Sequence, residues 1–76
     1  MKELDLHGLR HHEVRDKLEN FVLLNSNELP LRIIIGNSNR MRNMTENILN
    51  KHNFDYYSPA HNSGEIIVIS DKDKVL

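Results

Sequence analysis

An acid and an imidazole lie two positions apart near the start of this 76-residue chain, in Leu4-Asp5-Leu6-His7-Gly8. In an extended strand alternate side chains leave opposite faces, so Leu4 and Leu6 would face a core and Asp5 and His7 the other side. Such a histidine can move a proton during phosphodiester hydrolysis, while the carboxylate orients the ring and favours its charged form. The alternative is a polar pair that only holds the following turn.

A second polar stretch, Gly36-Asn37-Ser38-Asn39, follows an apolar segment and leads into a predicted helix. Residues 7–12 also lead into a predicted helix. The free N–H groups and positive dipole end of a helix N-terminus favour phosphate, so both loops are candidates for phosphate contact. The candidate phosphate-contacting residues, which the family resemblance described below implies are nucleic-acid-binding, are Gly8, Arg10, His11, Gly36, Asn37, Ser38, Arg40 and Arg42. Two alternatives are that Arg40 and Arg42 are ordinary solvated helix residues, or that the second loop binds a small phosphorylated metabolite.

Three histidines near the first loop, His7, His11 and His12, raise the question of a metal site that Asp5 or Glu13 would complete. Adjacent residues on a helix diverge by ~100°, so His11 and His12 cannot both join His7 easily. We therefore predict no metal site and no cofactor, and we expect a solvated or phosphate-facing helix start.

Tyr56 and Tyr57 are adjacent in a predicted strand, so only one of them can face the open side of a sheet. That tyrosine could stack on an unpaired base, and packing at the sheet is the alternative use of both. His52 and His61 have no evident partner in the sequence and are predicted to lie at the surface.

The apolar pattern predicts the element order β-α-β-α-β-β. Val14, Leu18 and Val22 recur at helical spacing, and Pro59 favours an edge position for the third strand. The unbroken apolar run in residues 65–69 suits the middle of a sheet. The predicted strands are 3–7, 31–35, 54–58 and 65–69, and the predicted helices are 11–25 and 40–51.

This order predicts an α/β two-layer sandwich. A helix joins the first two strands, which should therefore be parallel with a right-handed crossover. If both crossovers run the same way, both helices cover one face of the sheet and leave the other open to solvent. Residues 1–70 would form a single domain, and residues 71–76 a charged, loose tail.

Composition narrows the class of protein. The chain has no cysteine, which excludes disulfides and thiolate zinc sites and fits a reducing compartment. It has no apolar run of the ~20 residues that a bilayer requires and no signal-peptide pattern, so we expect a cytoplasmic protein without a membrane partner. The net charge is −1, so any nucleic-acid contact must come from local positive charge. We expect a monomer.

The motifs resemble the Smr domain, the small MutS-related domain. Leu4-Asp5-Leu6-His7-Gly8 reproduces the LDLHG motif of that family, and Gly64-Glu65-Ile66-Ile67-Val68 resembles its closing strand. Gly36-Asn37-Ser38 lies where the family has its second glycine-containing loop. The resemblance covers about residues 3–70. It implies a four-stranded mixed sheet in the order 1-2-4-3, with only the fourth strand antiparallel.

For function, the resemblance implies DNA or RNA binding, often with nicking or ribonuclease activity. Asp5 and His7 match the first motif, and they are the candidate catalytic residues of an endonuclease. Many family members carry His-Gly-Lys-Gly in the second loop, where this chain has Ile35-Gly36-Asn37-Ser38. The loop is more similar to a Gly-Asn-Ser variant of small stand-alone members, and it lacks the extra histidine, lysine and glycine. That departure favours a second hypothesis, a non-catalytic adaptor that acts through a protein or ribosomal partner.

Overall fold

The computed structural model describes residues 1–73 and contains one four-stranded sheet and two helices. The elements follow the predicted order. They are β1 (Lys2–Asp5), α1 (His11–Leu24), β2 (Leu31–Ile34), α2 (Asn39–Lys51), β3 (Phe54–Tyr57) and β4 (Glu65–Asp71).

The sheet has the strand order β1-β2-β4-β3. β1 pairs with β2 in parallel, and β4 runs antiparallel to both of its neighbours, β2 and β3. The predicted α/β class, the order 1-2-4-3 and the antiparallel fourth strand are therefore confirmed. Pro59 follows β3 at one edge, and the apolar β4 lies inside, as their residue types favour.

One core lies between the helices and a single face of the sheet. Leu31 and Ile33 of β2 alternate toward the same buried cluster as Ile66 and Val68 of β4. The helical stripe Val14, Leu18 and Val22 and the α2 residues Met41, Ile48 and Leu49 close this cluster from the other side. Both helices therefore cover the same face.

The other face of the sheet has no helix over it, and it carries polar side chains together with the apolar Ile34, Ile67 and Ile69. Arg32 lies 3.3 Å from a carboxylate oxygen of Glu3 and 3.6 Å from one of Glu65, so three neighbouring strands are linked by ion pairs. Tyr57 is half exposed on this face, whereas Tyr56 packs against the core and donates a 3.0 Å hydrogen bond to Asn50. Only one tyrosine thus faces the open side, as strand alternation predicted.

The first strand ends earlier than predicted. β1 stops at Asp5, and Leu6 continues the pairing by donating from its N–H to the Ile34 carbonyl at 2.8 Å. His7 lies beyond the strand, in the turn. Its backbone N–H donates to the Asp5 carboxylate, a local contact that favours a turn over continued extended backbone.

The fourth strand continues further than predicted, through Ser70 and Asp71, where the sequence pattern had placed the end of the strand and the start of the tail. Ser70 donates a 3.0 Å hydrogen bond to Asp55, and the Lys72 ammonium lies 3.2 Å from the same carboxylate. The contact with Lys72, and then the one with Ser70, lowers the pKa of the Asp55 carboxyl. The end of the predicted tail, residues 74–76, lies outside the described residues.

Within residues 1–73, neither helix has the length and apolar character needed to cross a bilayer.

Candidate nucleic-acid interface

Two loops meet at the carboxyl ends of β1 and β2, and we call this region the two-loop corner (residues 6–10 and 35–38). Parallel pairing aligns Asp5 with Ile34, so the loops leave the sheet side by side. A Cβ atom built on Gly36 would lie 3.6 Å from the Cβ of His7. The structure thus brings the first glycine loop against the second.

The first loop orients His7 through Asp5. Oδ1 of Asp5 accepts a 2.9 Å hydrogen bond from the His7 backbone N–H and lies 3.4 Å from Nδ1 of the His7 ring. The His7 side chain is 71% exposed and that of Asp5 55%, so a large substrate can reach both. Gly8 follows with a φ of +86°, a conformation that an L-residue adopts only with strain. One carboxylate oxygen therefore holds the turn and also lies close to the imidazole.

The second loop is held by β4. The N–H groups of Ile35 and Gly36 both donate to the Gly64 carbonyl, at 2.8 and 3.1 Å. Phosphate contact through backbone N–H groups of this loop was expected, but that of Gly36 is occupied. Ser38 caps α2, since its hydroxyl accepts a 3.1 Å hydrogen bond from the Met41 N–H.

A small cleft of about 110 Å³ opens beside this loop. Arg42 is the charged residue on its wall. The lining residues are Gly36, Asn37, Ser38, Asn39, Arg42 and Ser63. Four predicted contact residues, Gly36, Asn37, Ser38 and Arg42, are therefore brought together. Ser63 was missed, because nothing in the local sequence shows that the β3–β4 connection folds back onto the start of α2.

Arg42 is fixed by protein groups on three sides. Its guanidinium donates to the Ser58 hydroxyl at 2.6 Å and to the Ser63 carbonyl, and it lies 3.7 Å from Glu46. A guanidinium has five N–H donors, so donors remain for a ligand in the cleft. Arg42 accordingly combines a structural role with a charge placed at the cleft wall.

Three other predicted contact residues place charged or polar side chains around the two-loop corner. In the described part of the chain, the side chains of Arg10, His11 and Arg40 have no hydrogen-bond or ion-pair partner. Arg10 is the N-cap of α1 and makes no side-chain capping bond, because its side chain has no oxygen to accept one. Arg10 and Arg40 are exposed, and His11 is partly buried.

The remaining histidines and acids form no metal cluster: no group of three or more His, Asp or Glu side chains in residues 1–73 could hold an ion. The prediction that His52 is an unpartnered surface residue is wrong. Its Nε2 lies 2.6 Å from Oε2 of Glu19 on α1, and its side chain is 24% exposed. The sequence does not reveal this pair, because β2 and α2 lie between Glu19 and His52 in the chain.

The Glu19 carboxylate is the centre of a cluster between the helices. Besides His52, it is approached by Lys51 at 3.7 Å and by Arg15 at 3.4 Å. The hydrogen bond from His52, followed by the charges of Lys51 and Arg15, lowers the pKa of the Glu19 carboxyl. This cluster lies outside the two-loop corner and serves helix packing.

Comparison with known proteins gives no match to any protein-family model, curated protein or solved structure.

Proposed function

We propose that this protein is a nucleic-acid-binding, Smr-like domain that contacts the phosphodiester backbone at the two-loop corner. The observation that carries the proposal is the position of Gly36, which lies against His7 and also lines the cleft beside Arg42. The loop that carries His7 and a cleft with an arginine on its wall therefore adjoin each other. The resemblance of the LDLHG segment to the Smr motif supports the same function.

Cleavage is the further activity we propose for this corner. His7 would give or take the proton of the attacking or leaving oxygen, and Asp5 would keep the ring in place through its 3.4 Å contact with Nδ1. Arg42 would hold a phosphate oxygen in the cleft, with its guanidinium already oriented by Ser58 and Ser63.

Binding should depend on a few local charges, because the net charge of the chain is only −1. Arg40 is exposed and unpaired within the described residues, so its whole charge is available to a phosphate. Each neutralised phosphate releases counterions, which makes the affinity fall as salt rises.

Fluorescence anisotropy with labelled single-stranded DNA, branched DNA and RNA tests the binding proposal. We expect affinity to fall with salt and to fall further in Arg40→Gln, with a shallower salt slope. Lys17→Gln is the matched control, since Lys17 is an exposed cation of α1 without a partner in residues 1–73. Equal affinities for the two variants, or no binding to any of the nucleic acids, would overturn the proposal.

A nuclease assay on the same three substrates tests cleavage separately. We expect His7→Ala to lose cleavage while it keeps most of its affinity, because His7 acts on the reacting oxygen rather than on the backbone charge. Unchanged cleavage in His7→Ala would remove His7 from the mechanism. Binding without cleavage in the wild type would leave the non-catalytic function.

A further inference from the structure

A groove runs between the two helices, apart from the two-loop corner. It encloses about 280 Å³ and is lined by Arg15 of α1 and by Met44, Asn47, Ile48 and Lys51 of α2. We call it the interhelix groove. Met44 and Ile48 lie one turn apart and supply an apolar floor, while Arg15, Asn47 and Lys51 supply polar and charged rims.

The rims carry a surplus of positive charge. Glu19 is the acid beside Arg15 and Lys51, at 3.4 and 3.7 Å, but it is also the 2.6 Å partner of His52. One carboxylate therefore serves two full cations and a histidine. Arg15 and Lys51 remain 63% and 57% exposed, so both can meet a second anionic group from solvent.

We infer that the interhelix groove docks an acidic, amphipathic helical segment of a protein partner. An apolar side chain of that segment would fill the space over Met44 and Ile48, and its carboxylates would meet Arg15 and Lys51. This is the pattern by which an amphipathic helix places apolar anchors in a groove and gains orientation from the charges at its rim. The inference concerns a different surface and a different partner class from the proposed nucleic-acid site.

The lining favours a peptide over a nucleic acid. Among residues 1–73 no aromatic side chain lines the groove for a base to stack on, and the floor between its cations is apolar. Contact with this apolar floor does not stabilise a bound phosphodiester backbone. A leucine or phenylalanine side chain is removed from water there, and this burial favours binding.

Charge at the rim is the variable to test, and Asn47→Glu changes it with little risk to the fold. Asn47 is an exposed helix residue, and glutamate favours a helix more than asparagine does. The new carboxylate would oppose the acidic face of the ligand. Asn20→Glu is the matched control, because Asn20 is also an exposed helix residue, on α1, and does not line the groove.

The probe is a synthetic amphipathic helical peptide with leucines on one face and glutamates on the other, titrated into ¹⁵N-labelled protein. We expect chemical-shift changes centred on Met44, Asn47, Ile48 and Lys51. We also expect Asn47→Glu to raise the Kd by about fivefold, the value of one exposed charge contact. Asn20→Glu should leave the Kd unchanged.

Three outcomes would overturn the inference. One is equal or tighter binding of the same peptide with lysines in place of the glutamates. Another is an absence of saturable shifts, or shifts centred on the open sheet face. The third is a set of chemical-shift changes centred on the groove when single-stranded RNA is added or when the protein concentration alone is raised. The first result would assign the groove to nucleic acid, and the second would assign it to a second copy of the chain.

Discussion

Arg40 and Arg42 are two positions apart in α2, and they have different surroundings. Residues with this spacing on a helix point roughly 200° apart, so the two side chains leave α2 in different directions. Arg42 turns toward the β3–β4 connection, where Ser58 and Ser63 hold it, and Arg40 is exposed without a partner in the described part of the chain. Both residues are arginines, but of the two only Arg42 is hydrogen-bonded to other groups of the described chain.

Replacing each arginine by methionine should separate these roles. Arg42→Met keeps the alkyl stem but loses two charge-assisted hydrogen bonds, so we expect unfolding free energy to fall by about 1–2 kcal/mol. Arg40→Met should lose nucleic-acid affinity as well, but its free energy of unfolding should stay within about 0.5 kcal/mol of the wild type. Urea unfolding and anisotropy on the same samples measure both effects. Equal destabilisation by the two variants would contradict the assignment.

Two glycines in the corner have positive φ but different surroundings. A Cβ at Gly8 meets nothing within 4 Å, whereas a Cβ at Gly36 meets His7 at 3.6 Å. Gly8→Ala should therefore cost only the backbone strain of the left-handed conformation, about 1–2 kcal/mol.

Gly36→Ala should carry the same strain and also change the environment of His7. We expect the ring signals of His7 to shift in Gly36→Ala and to stay close to their wild-type positions in Gly8→Ala. Chemical denaturation and histidine NMR spectra provide the two readouts. Undisturbed His7 signals in Gly36→Ala would show that the loops do not touch in solution.

At the scale of elements, the two helices are joined by apolar packing and by the Glu19 cluster. His52 directly follows α2 as its C-cap residue, and its imidazole reaches Glu19 on α1 at 2.6 Å. Patterns within each helix could predict which faces are buried. They could not predict this contact, because it depends on where one helix ends relative to the middle of the other.

The lowered pKa of Glu19 makes this contact sensitive to acid. A carboxyl with a pKa below its unfolded value contributes stability above that unfolded value, near 4.3, and loses it as the pH falls through the folded pKa. Glu19→Gln should therefore lower the Tm at pH 7. The difference from the wild type should shrink as the pH falls below about 4.

Thermal unfolding followed by circular dichroism between neutral and acid pH measures that trend. Glu13→Gln is a suitable control, since Glu13 lies on the same helix and has no ion-pair partner among residues 1–73. A Tm difference for Glu19→Gln that persists unchanged in acid would contradict a role for the ionised carboxylate.

For the molecule as a whole, stability depends on one thin core between two layers. Leu18 is fully buried within it, and Leu24 on the same helix is 81% exposed. Leu18→Ala should cost about 2–5 kcal/mol. That is a large part of the roughly 4–11 kcal/mol expected for a domain of 76 residues.

Leu24→Ala makes the same chemical change at the surface, so its effect should stay within about 0.5 kcal/mol. Urea unfolding of both variants provides the comparison. Similar losses in the two would mean that the core does not lie between the helices and the sheet.

Much of this architecture could be predicted, because it follows from periodic burial. The stripe Val14–Leu18–Val22, the apolar β4 and Pro59 after β3 each indicate a location that the fold confirms. The details of the candidate site could not be predicted in the same way. Ser63 on the cleft wall and the Gly64 carbonyl that holds the second loop come from a distant connection. Their roles arise only when the sheet is assembled.

The position of β4 between β2 and β3 also makes the second loop depend on the assembly of the sheet. Within residues 1–73, β3 pairs with no strand except β4, so the sheet is complete only when β4 is inserted. The Gly64 carbonyl just before β4 is the group that fixes Ile35 and Gly36. Intermediates that have formed only the β1-α1-β2 unit would therefore lack an ordered second loop. The proposed nucleic-acid binding would therefore require β4 in place, and on heating it should be lost together with the cooperative unfolding of the whole domain.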